Sequence, residues 1–181
     1  MSGRAEKAPG VIKRHTVVEL IEHWTVAISG LILVVTGVFE LPIAARYYIT
    51  ELPGLTWSGD FIAALEVHYA ASVVFVAASL FHVVYHGLHG HTGLLPEKGD
   101  MKASVEVIRA FFGKTEEPPF HKYLPEQRIA YAGMVFIIAG LIISGLIKTF
   151  KNVYAPDMSL VLVAWATWMH NAFFVLFVLA F

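Results

Sequence analysis

Cysteine is absent from the 181 residues. That removes disulfides, thiol nucleophiles, Cys-ligated zinc, iron-sulfur clusters and covalent c-type haem attachment in one step. Any metal or redox centre must draw on histidine or carboxylates. Charge is scarce too: Asp, Glu, Lys and Arg make up 15% of the chain, against about 25% in an ordinary soluble domain. Neither sign is in excess. A net charge of -1 offers no basic face for a phosphate backbone, so nucleic-acid binding is excluded. What the chain has in quantity is apolar surface, with 57% hydrophobic residues and a mean hydropathy of +0.65. The length is that of one domain, but the composition is too oily for a soluble one.

An uncharged run of roughly 18 or more residues is long enough to cross hydrocarbon as a helix. Residues 23–39, 67–96, 129–147 and 158–181 contain no Asp, Glu, Lys or Arg. With their apolar flanks they predict four transmembrane helices at about 17–42, 61–88, 127–148 and 158–181, within a domain covering 16–181 and preceded by a tail at 1–15. The fold class expected is an all-α membrane protein, a four-helix bundle. Arg4, Lys7, Lys13 and Arg14 in the tail, with Lys98, Lys102, Arg109, Lys114, Lys122 and Arg128 in the second connection, put both segments on the cytoplasmic side. Lys148 and Lys151 run against that bias. The n-region is followed by a span too long for a cleavable signal, so a multi-pass protein of the cell (inner) membrane is expected. In the second connection Asp100 reads as the N-cap of a cytoplasmic interfacial helix over about 101–112, with Val105, Ile108, Phe111 and Phe112 on one side.

The chain has nine histidines, and an ionisable residue inside a bilayer is costly enough to need a partner or a task. His23, His68, His82 and His170 lie within the apolar runs. His68, Ser72, Phe75, Ser79, His82 and His86 step by 4, 3, 4, 3 and 4 and so share one helix face. His68 and His82 are then roughly 21 Å apart along the axis, at about 1.5 Å per residue, which offers one site per leaflet. In the first span His23, Gly30 and Gly37 recur at intervals of seven. Missing side chains beside a histidine leave a slot for a broad, flat ligand, although a glycine heptad also serves plain helix packing. Without thiols, the ligand that best explains paired imidazoles and glycine slots is b-type haem, with an iron-ligating histidine on each axial face. Depth pairs His68 with His170 in the outer half. The inner haem would take His23, with His82 or a histidine beyond residue 181 opposite it. His15, His89, His91 and His121 read as solvated. A transition metal on His82 and His86 is a weaker alternative, since no carboxylate stands near them within that helix.

The segment Glu19-Leu-Ile-Glu-His-Trp-Thr-Val-Ala-Ile-Ser-Gly-Leu-Ile-Leu-Val-Val-Thr-Gly resembles the first span of the cytochrome b (gamma) subunits of membrane-bound formate dehydrogenases and nickel-iron hydrogenases. The resemblance continues with Leu65-Glu-Val-His-Tyr, Lys122-Tyr-Leu-Pro-Glu-Gln-Arg and Trp168-Met-His, in the family's order. It implies two b haems and electron transfer between an iron-sulfur subunit, itself carried with a large catalytic subunit, and membrane quinone near the cytoplasmic face. By the match, His68 and His170 hold the haem nearer the iron-sulfur partner, and His23 the haem nearer quinone. Two departures stand out. The formate-dehydrogenase branch has a second histidine fourteen residues after the first in span four, which here falls past residue 181. In the loop before span three Leu124 and Glu126 replace its Asn and Gly, while Tyr123 and Gln127 remain.

The reading is therefore a di-haem b subunit of a respiratory oxidoreductase complex, an electron-transfer part of an enzyme and not a complete one. His86, Tyr123, Gln127 and Arg128 are the quinone-side candidates. The rivals are a proton channel or transporter using the histidine stripe as a relay, and a cofactor-free membrane anchor for soluble subunits. Uninterrupted spans without midplane carboxylates speak against the first.

Overall fold

The computed structural model describes residues 16–113 and 123–180, all helices and connecting turns. The tail at 1–15 with His15, the stretch that carries Lys114, His121 and Lys122, and Phe181 lie outside the described residues. Among the described residues four helices are long and apolar enough to cross a membrane, and the chain divides into two compact units, residues 1–84 and 85–181.

In the first unit, α1 (Val17–Phe39) starts on a capping box: the Glu19 backbone N–H donates to Thr16 Oγ1 (3.2 Å), and the Thr16 N–H donates to Glu19 Oε2 (2.7 Å). It stops three residues short of the expected boundary because Pro42 restricts Leu41 to extended backbone (ψ 143°). A short α2 (Pro42–Arg46) follows, with Pro42 at its first position. Tyr48 then turns the chain in the left-handed region (φ 56°) into two 3-10 turns. Trp57 meets Phe39 edge-on at 5.7 Å and ties this loop to the end of α1. Asp60 Oδ1 accepts from Ile62 N (2.9 Å) and Ala63 N (3.3 Å), which starts α3 (Phe61–Leu88).

The second unit takes in the last turn of α3, then α4 (Asp100–Phe111), α5 (Pro125–Val153) and α6 (Leu160–Ala180). Pro125 opens α5, and Gln127 Oε1 accepts from Leu124 N (3.0 Å) just before it. α5 continues beyond the expected end at Lys148, through Lys151 to Val153, since both lysines are good helix formers whose stems can lie along apolar surface. Phe136 and Phe173 meet at 5.4 Å, and Ser144 meets His170, so α5 and α6 pack antiparallel.

The packing is inverted relative to a soluble protein. The buried residues are Ser29, Thr36, Ala44, Ala64, Ala71, Ser144 and Ala166 with few large ones, while Leu31, Val73, Phe136 and Leu160 face outward. Lipid tails are as apolar as leucine, so helices associate through small side chains that allow close approach. The hydroxyls return to their own helix: Thr25 to Ile21 O (2.7 Å), Ser29 to Thr25 O (2.6 Å), Ser79 to Phe75 O (2.8 Å), as hydrocarbon requires of every polar group.

Gly140 shows how tight the α5–α6 contact is. A Cβ there would lie 2.3 Å from the Phe173 ring, whereas one at Gly133 would meet nothing within 4 Å. Gly140→Ala is expected to cost about 1–3 kcal/mol by overpacking. Gly133→Ala is expected to be neutral or to stabilise by roughly 0.5–1 kcal/mol. Thermal melting of the two variants in detergent checks the contrast.

Candidate functional site

α3 carries His68 two turns in, and α1 supplies what it touches. His68 Nδ1 lies 2.8 Å from Thr36 Oγ1, and Thr36 Oγ1 lies 2.8 Å from Ile32 O. A hydroxyl has one proton. Ile32 O takes it, so the imidazole donates through Nδ1–H and its basic nitrogen is Nε2. Thr36 is 2% exposed, and Glu40 Oε1 stands 3.6 Å from the same Nδ1.

The second unit repeats the arrangement on different helices. His170 Nδ1 of α6 lies 3.0 Å from Ser144 Oγ of α5, whose proton goes to Gly140 O at 2.6 Å. Nδ1–H is again the donor and Nε2 the basic nitrogen. Ser144 is 1% exposed. A Cβ at position 145 would approach His170 Cε1 to 3.3 Å, so Gly145 gives the ring its place. Thr36 and Ser144 are the largest fully buried side chains among the described residues, and each braces a histidine.

His82 and His23 are placed differently. His82 Nδ1 makes a close contact with Glu22 Oε1 of α1, so the carboxylate that α3 does not offer near His82 arrives from the neighbouring helix. His23 is exposed, its ring edge-on to Trp24 at 5.6 Å. α1 turns Glu22, Ser29, Gly30 and Thr36 inward, with Gly37 half-buried. Glu22, Thr36 and Ser144 were not among the residues singled out by sequence. A polar heptad through Glu22, Ser29 and Thr36, one residue from the His23, Gly30, Gly37 heptad, was the available signal. The apolar groove of about 470 Å³ along Leu20, Trp24 and Ile28 of α1 and Ala71 and Val74 of α3 has no histidine or carboxylate in its lining, so the chemistry lies elsewhere.

At the far end of α3, His86 Nδ1 is 2.9 Å from His91 Nδ1, and His89 stacks on Tyr85 at 4.4 Å. The loop then brings Gly93 against the Tyr123 ring. One short loop thus touches His86 at one end and Tyr123 at the other. Arg128 is held elsewhere. Its guanidinium donates to Asp100 through Nε (2.9 Å) and Nη2 (2.5 Å), with Glu97 3.8 Å away. Asp100 is therefore the first residue of α4 and not its N-cap, a position taken by Gly99 at φ 102°. The Arg128 hydrogen bonds, with a further one from the Glu97 backbone, hold the Asp100 carboxyl at about 2, below its ordinary 3.8. The contact is complete above pH 3.8 and is lost as pH falls through about 2. A spin label on α4 is expected to stay immobile down to about pH 4 and loosen only below it, whereas Asp100→Asn loosens it at neutral pH.

The family model described as prokaryotic cytochrome b561, of the nickel-hydrogenase type, matches residues 14–181. The chain belongs to this family. No curated protein matches it closely. This cytochrome b561 is an integral membrane protein with four apolar helices among the described residues, a haem b electron-transfer subunit of the kind found with hydrogenase-type partners. The histidines fit that cofactor: two are fixed by buried hydroxyls in the tautomer whose Nε2 can ligate iron.

Proposed function

We propose that this cytochrome b561 holds two b haems and passes electrons between an iron-sulfur subunit and membrane quinone, within a complex whose large catalytic subunit is of the formate dehydrogenase or hydrogenase type. The observation that carries the reading is the matched pair of braces, Thr36 on His68 and Ser144 on His170. Metal-ligating histidines characteristically donate their other ring nitrogen to a fixed acceptor, which orients the ring and raises its basicity. His68 and His170 then ligate the haem nearer the iron-sulfur partner, a pairing supported by their depth along the sequence and by the likeness of two braces seen each within its own unit. His23 and His82 serve the second haem, His82 through Nε2 because Glu22 holds Nδ1. Bound haem supplies the one-electron chemistry, and the protein supplies ligands, spacing and a dry surrounding.

Quinone belongs at the cytoplasmic end with His86 and Tyr123, which the loop from His91 to Gly93 links. Gln127 and Arg128, engaged with Leu124 and Asp100, hold the frame of that end. The cytoplasmic assignment of the amino terminus follows from the basic residues flanking the spans. The purified protein in detergent should be reduced at its haem by a short-chain quinol. His86→Ala and Tyr123→Phe are expected to slow that step at least tenfold with unchanged haem content. Unaltered rates in both variants would remove quinone from this end of the molecule.

A further inference from the structure

The amphipathic α4 carries none of the histidines or the tyrosine assigned above to haem and quinone, yet it is tied at its start to α5. Asp100, its first residue, is bonded by Arg128 in the first turn of α5. The membrane-crossing part of α5 begins directly after Arg128, with no charge from residue 129 to 147. The ion pair therefore fixes the start of α4 at the level where α5 enters the bilayer. Asp100 and Ser104 are buried toward the protein. On the neighbouring face Met101, Val105, Ile108 and Phe112 follow at steps of 4, 3 and 4 and are 71%, 45%, 53% and 69% exposed. Along the other edge of that stripe Lys102 and Arg109 stand seven residues apart, both exposed, with Glu106 further toward the water side.

We infer that α4 is a lipid-surface element, its apolar stripe lying in the headgroup boundary and Lys102 and Arg109 meeting the phosphates of anionic lipids. A soluble-facing helix would not expose four large apolar residues in register, and one covered by protein would not need a basic edge beside them. An interfacial helix needs both, with its apolar face sunk about 5–10 Å into the headgroup and acyl boundary. Each basic residue near an anionic surface adds attraction, which salt screens. The depth set by Asp100 and Arg128 makes the bilayer the surface within reach. This holds whichever histidines bind haem.

The absence of cysteine makes the test direct. Single substitutions Ile108→Cys on the stripe and Ala103→Cys on the opposite side, each carrying a nitroxide, are made in the full chain and reconstituted in phosphatidylcholine vesicles with and without phosphatidylglycerol. The Ile108 label is expected to collide several times more often with oxygen than with a water-soluble nickel chelate, and the Ala103 label to show the reverse. Phosphatidylglycerol should drive the Ile108 label deeper, and Lys102→Gln with Arg109→Gln should abolish that shift. Val105→Cys replaces Ile108→Cys if the latter does not fold. A stripe label as open to the nickel chelate as Ala103 overturns the proposal. So does one shielded from both reagents, which would mean that a second copy or a partner subunit covers the stripe. A depth unaffected by phosphatidylglycerol overturns the anionic-lipid part.

Discussion

Replacing His68 or His170 by Ala is expected to remove one haem from each chain, with the other haem retained. Both histidines sit on apolar helices, and both are held by a buried hydroxyl whose own proton is already given to a helix carbonyl. That chemistry makes Nε2 the nitrogen that would ligate iron in each. If the two imidazoles serve one iron, the double variant should lose no more haem than either single one, since the site is already gone. Loss of two haems in the double variant would assign His68 and His170 to separate irons. Haem content measured against protein in the three variants decides between them.

The second large effect concerns the braces. Thr36→Val and Ser144→Ala keep the helices and remove only the acceptor on Nδ1. Side chains that fix a ligating histidine typically matter by roughly 10–100-fold in metal affinity. Each variant is therefore expected to release haem more readily by about that factor, and to lower the basicity of the ligand and so shift the midpoint potential of one haem only. Thr36→Ser retains the acceptor and should restore both properties. Haem retention and potentials indistinguishable from the parent in Thr36→Val and Ser144→Ala would mean that the hydroxyls merely satisfy the helices.

The four spans could be read from the sequence because hydrocarbon imposes one rule, a long uncharged helix, that needs no partner to be visible. Their ends were less legible. Pro42 shortens α1, and Lys148 and Lys151 extend α5, effects of local backbone and side-chain chemistry that a hydropathy window smooths over. Among the site residues, histidines stand out in an apolar run, but serine and threonine do not. Thr36 and Ser144 read as small residues suited to helix packing, and only their contacts to His68 and His170 mark them as more. Glu22 was hidden differently. It adjoins His23 at the margin of the run, and a one-residue offset on a helix turns the face by about 100°, the 3.6-residue turn that puts one residue inside and its neighbour out. The partnership of Asp100 with Arg128 joins residues 28 apart in the chain, on two different helices, and no periodicity connects them.

Whether this cytochrome b561 carries haem on histidines of its spans is read from a reduced-minus-oxidised absorption spectrum of the purified protein. The parent protein is expected to show b-type bands, which diminish but do not vanish in His68→Ala and His170→Ala. A colourless protein, or bands of full intensity in both variants, would contradict it.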